Sequence, residues 1–174
     1  RGIDALLILP GENEDPYRTY LSNGAQHSGL VIKRRGDPPL IIVNGMERDE
    51  AARSGLPVHT YDDFGYGELL QAYQDDRDAI TAAWYRRIFE EVGVGGKIGV
   101  YGVTDLNIAL RTLHILSHTF GDALEFVTEK ARETVFDRAY ETKDAGELAR
   151  LHDVARRTSA VMRAARDWLA THRA

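Results

Sequence analysis

From Leu148 to Leu169 the chain has one economical way to bury its apolar side chains, which is to form a long helix. Leu148, Leu151, Ala155, Thr158, Met162, Ala165 and Leu169 step by three and four, and Val154, Val161 and Trp168 widen the stripe. That spacing is the broad apolar face of an amphipathic helix. A face so wide requires cover. The expectation is a helix that leads toward a further domain and that pairs with another copy through Leu151, Val154, Val161, Met162 and Trp168 when it stands alone. Arg150, Arg156, Arg157, Arg163 and Arg166 lie in the same stretch, and Arg173 just beyond it, with Asp153 and Asp167. Without interleaved aromatic residues to stack on bases, they read as a solvated face. The net charge of −5 likewise argues against a nucleic-acid partner.

Upstream, short apolar runs alternate with helical periodicity. Ile3 to Leu9, closed by Pro10-Gly11, reads as a buried strand, and Gly11 to Gly24 as an irregular polar loop. Ser28 to Lys33 and Leu40 to Asn44 flank Arg35-Gly36-Asp37-Pro38-Pro39 and so predict a β-hairpin. Met46 to Arg53 is helix-like and stops at Ser54-Gly55, and Val58 to Tyr61 is a short strand. Leu69 to Val92 has helical spacing interrupted near Asp75-Asp76, which fits one long helix or two short ones. Lys97 to Tyr101 predicts a strand, Thr104 or Asp105 can cap a helix reaching about Phe120, and Glu125 to Val127 adds a strand before a helical turn at 131–136. This order predicts an α/β fold: a mixed sheet of five to six strands flanked by helices, followed by a long C-terminal helix. With 43% hydrophobic residues in 174, one sizeable core can be filled. The expected division is a domain over 1–140 and a linker helix over 141–174.

Chemistry is less legible. The chain has no cysteine, which excludes disulfides, thiolate metal sites and a cysteine nucleophile, and the expected location is the cytoplasm. No apolar run approaches the roughly 20 residues a membrane span needs. Gly93, Gly95, Gly96, Gly99 and Gly102 invite a phosphate-loop reading, but Ile98 follows Lys97 where such a loop needs Ser or Thr, so a helix cap and a tight turn fit better. His114 and His118 share the spacing of helical zinc ligands, yet Ile115 stands where a zinc-peptidase helix carries its glutamate. With no third ligand nearby in sequence, they read as a structural or surface pair. Asp62, Asp63, Asp75, Asp76 and Asp78 lack calcium-loop spacing and read as caps and a solvated break. No catalytic or metal-ligating residue can be assigned from these patterns.

Several segments in order resemble the N-terminal domain of the creatinase, prolidase and Xaa-Pro aminopeptidase family. Gly2-Ile3-Asp4-Ala5-Leu6-Leu7 is similar to the family's first strand, and Tyr20-Leu21-Ser22 to its Tyr-Leu-Thr motif. Gly29 to Lys33, Pro39 to Val43 and Lys97 to Tyr101 fall where its strands are expected, and Lys143 with Glu147 resembles its Lys-x-x-x-Glu element. Tyr17, Asn23 and Tyr140 depart from the family's usual Asn, Gly and Arg. The resemblance implies a non-catalytic N-terminal domain of a Xaa-Pro peptidase-like metallohydrolase that contributes to a homodimer and to substrate access. The two divalent metals, and the two Asp, one His and two Glu that hold them, would then lie in a catalytic domain beyond Ala174, with a proline-containing peptide as substrate. It also makes Tyr17, Arg18 and Tyr20 the candidates for a substrate-facing loop. The alternatives are a protein-interaction module from an inactive peptidase-like protein and a stand-alone small-molecule-binding domain.

Overall fold

A computed structural model of the chain describes residues 2–74, 76–129 and 132–172. The chain packs as two units, Arg1–Glu129 and Lys130–Ala174.

In the first unit, six strands form one mixed sheet: β1 (Ala5–Ile8), β2 (Leu30–Arg34), β3 (Leu40–Val43), β4 (Val58–Thr60), β5 (Gly96–Tyr101) and β6 (Leu124–Val127), in the spatial order β4-β3-β2-β1-β5-β6. The hairpin expected between residues 28 and 44 is present as β2 and β3, with Leu30 opposite Ile42. β2 also pairs antiparallel with β1, while β1 with β5, β5 with β6 and β3 with β4 are parallel. Adjacent residues in β1, β2 and β3, such as Leu7 and Ile8, Val31 and Ile32, and Ile41 and Ile42, are all nearly inaccessible. Because neighbours in a strand point to opposite faces, the centre of the sheet is covered on both sides. That is why these strands read as continuous apolar runs rather than as alternating ones.

Helices supply the cover. α1 (Pro16–Leu21) and α2 (Arg48–Ala52) are short; α3 (Tyr66–Tyr73), α4 (Arg77–Val92) and α5 (Leu106–Phe120) are longer. Trp84, Tyr85, Ile88 and Phe89 of α4 and Leu116 of α5 join Leu7, Leu30, Ile32, Ile42 and Ile98 in the main core. The helical periodicity over 69–92 resolves into two helices, and Asp76 caps the second by accepting the Ala79 N–H at 3.0 Å. Asp75, which shared the expected acidic break, lies outside the described residues. Asp105 caps α5 through the Asn107 and Ile108 N–H groups at 2.9 and 3.1 Å. Gly93 ends α4 at φ +67°, the left-handed cap expected of the glycine-rich stretch.

In the second unit, α6 (Val135–Glu141) and α7 (Ala145–Thr171) each begin with a capping box. The expected turn at 131–136 begins at Ala131, outside the described residues, and the helix itself runs later than expected. At α7, Asp144 accepts the Glu147 N–H at 2.8 Å and Glu147 accepts the Asp144 N–H at 2.9 Å. Glu147 of the Lys-x-x-x-Glu element is thus the third helical residue, where a carboxylate can return to the cap. Among the described residues, no helix is long and apolar enough to cross a membrane.

Candidate functional site

The strand directions create the site. β1, β3, β4, β5 and β6 all run the same way and β2 opposes them, so the carboxyl ends of five strands meet at one edge of the sheet. Loops at such an edge are where open α/β sheets place ligands. Here the edge carries the loop after β1, helix α1 and the segment that follows β5.

The loop that reads as irregular from sequence contains α1, and Asp15 and Arg18 hold it. Asp15 is 2% exposed. One carboxylate oxygen accepts the Tyr17 and Arg18 N–H groups at 2.9 and 3.1 Å, while the other accepts the Val103 N–H at 2.7 Å. The helix cap therefore also fastens α1 to the chain leaving β5. Arg18 is 3% exposed and donates to the carbonyl oxygens of Gly11, His27 and Leu9 at 2.8, 3.1 and 3.2 Å. Its guanidinium stands 3.6 Å from Asp15. Burial lowers the Arg18 pKa, opposed chiefly by the charges of Asp15 and Glu47. Its charge is directed inward, onto main-chain carbonyls of the turning loop, which need donors. Tyr17 and Tyr20 are half-buried. The Tyr17 ring lies 5.4 Å from that of Tyr101, whose hydroxyl donates to Glu129.

Next to Arg18, His27 Nδ1 accepts the Gly29 N–H at 3.2 Å, leaving Nε2 as the donor to Ser22 Oγ at 2.7 Å. The Nδ1 contact requires the neutral ring, because a protonated imidazole has no lone pair with which to accept. Burial, reinforced by the Arg18 charge, lowers the His27 pKa to about 4, with Glu47 opposing. Glu47 in turn accepts the Ser28 N–H and hydroxyl at 2.8 and 2.9 Å. Sequence reasoning missed Asp15, His27 and Glu47, and named Ser22 only within Tyr20-Leu21-Ser22. An Asp followed directly by Pro fits a helix cap and first helical residue, but it fits a turn equally well.

The remaining candidates lie elsewhere. Asp63 accepts the Thr60 N–H at 2.7 Å, and that bond holds its carboxyl below the usual range, in keeping with the capping role. His114 and His118 lie together on α5. Leu151, Val154, Val161, Met162 and Trp168 on α7 are 51%, 61%, 67%, 67% and 60% exposed. Among the described residues, no group of three or more His, Cys, Asp or Glu could hold a metal ion.

No family model matches the sequence, and no curated protein does. Among solved structures, the chain is similar to a dipeptidase from Pyrococcus horikoshii, at 14% identity and TM-score 0.51, covering 84% of this chain and 35% of that one. An X-Pro aminopeptidase from Thermotoga maritima matches at 18% identity and TM-score 0.47, over 85% of this chain and 35% of that one. The chain thus spans about a third of the length of each. The resemblance carried by the opening strand, the hairpin and Tyr20-Leu21-Ser22 holds at the level of architecture: this chain has the fold found in about a third of that dipeptidase.

Proposed function

We propose that this chain is the cytoplasmic, non-catalytic N-terminal domain of a Xaa-Pro peptidase-like metallohydrolase, contributing to a homodimer and to substrate access. The observation that carries the proposal is the fold shared with a dipeptidase over 84% of this chain and 35% of that protein. In this reading the catalytic work, with two divalent metals and a proline-containing peptide, belongs to another domain. The surface at the carboxyl edge of the sheet walls the substrate's path. Tyr17 and Tyr20 supply its aromatic part, and Asp15 and Arg18 set the shape of the loop beneath them. Aromatic rings with a polar tip suit such a wall because they give contact area at little entropic cost.

The test is hydrolysis of an Xaa-Pro dipeptide by the purified chain with added divalent metal. No turnover is expected, and robust metal-dependent cleavage would overturn the proposal. The exposed face of α7 favours a second reading, a protein-interaction module. The two readings separate on whether the encoding gene specifies a domain with the two Asp, one His and two Glu.

A further inference from the structure

We propose that α5 carries a metal site made of two imidazoles, His114 and His118, for a borderline divalent transition-metal ion such as Zn2+ or Ni2+. The two residues stand four apart on a 15-residue helix, one turn above the other on a single face. Their ring centroids are 4.4 Å apart and meet edge to face. With each nitrogen about 2.0–2.1 Å from a shared metal, two imidazoles of one coordination shell have centroids roughly 4.5 to 5 Å apart. The observed separation falls just below that range, so the side chains must rotate apart slightly to share a metal.

The surroundings favour the site. Both histidines are exposed, and the groove around them is lined by Asn107, Leu110, Leu113 and Ser117. The remaining coordination positions therefore open to water. The nearby cation that would repel a metal, Arg111, is engaged elsewhere: its guanidinium meets Asp78 Oδ1 through Nε at 2.7 Å and Nη2 at 2.5 Å. A helix holds ligands more precisely than a loop. Two nitrogen donors without a carboxylate select Zn2+, Ni2+ or Cu2+ over Mg2+ and Ca2+. Protons compete for the same nitrogens, so binding weakens at acid pH.

Calorimetric titration of the full chain with Zn2+ and, separately, with Mg2+ tests this. The expected result is one Zn2+ per chain, no Mg2+ binding, and affinity reduced roughly tenfold or more in both His114→Ala and His118→Ala. His59→Ala and His152→Ala should bind like the parent. Alanine at an exposed helical position preserves α5, and circular dichroism verifies that it does. Unchanged Zn2+ affinity in either α5 variant, equal binding of Mg2+, or loss of the site in His59→Ala or His152→Ala would overturn the assignment.

Discussion

A guanidinium surrounded by three main-chain carbonyls and a carboxylate is committed to architecture. Removing Arg18 would leave those acceptors and the Asp15 charge buried without their partner, a class of change that costs about 3–5 kcal/mol. Arg18→Met should therefore lower the urea midpoint with little change in slope. Arg18→Lys should fail to restore it, because one ammonium cannot replace a planar fork of donors. His27 gives the same loop a dependence on pH. It is faced by Ser22 Oγ, the Gly29 N–H, the Arg18 guanidinium and the Glu47 carboxylate. Its folded pKa of about 4 lies below the ordinary 6.5, so the unfolded chain takes up the proton first as pH falls. The contribution of His27 to stability is complete above pH 6.5 and is lost as pH drops toward 4. Thermal melts across that window should slope more steeply for the parent than for His27→Gln. Equal slopes would remove His27 from the account.

Among the elements, α7 is exceptional: 27 residues with none buried. A capping box and long runs of good helix formers favour its helicity, but an apolar face of this width still gains from cover. The chain is expected to self-associate through Leu151, Val154, Val161, Met162 and Trp168. Sedimentation at high micromolar concentration should show a species larger than the monomer, dispersed by Val161→Asp with Met162→Asp; a strictly monomeric parent contradicts this. Elements were legible where periodicity was long or burial two-sided. The strands appeared as apolar runs, and α7 appeared through its three-four spacing. α1 was not legible because six residues are too few to show a period, and Asp15-Pro16 reads equally well as a loop. The carboxyl edge was hidden for a different reason. Which strands run parallel is decided by pairing between distant segments, and Arg18 binds backbone carbonyls, which leave no pattern in side chains.

At the scale of the molecule, the pairing of β1 with β5 orders everything else. The β1-β2-β3 part is a meander of neighbours in sequence, whereas β5 comes to β1 from more than half the chain away. Asp4 accepts the Lys97 N–H at 3.0 Å, and Asp15 accepts the Val103 N–H at 2.7 Å, across 93 and 88 residues. Contacts that close such long loops incur their entropic cost before they return any stabilisation, which makes them late and slow. The Asp15 carboxylate therefore acts as a clasp on the timetable of folding. During synthesis the meander can assemble while the clasp hangs open, because the amide that closes it has not yet been made. The surface around Tyr17 and Tyr20 consequently takes its final shape only once the chain has been made past Val103, and its order reports that β5 has joined β1.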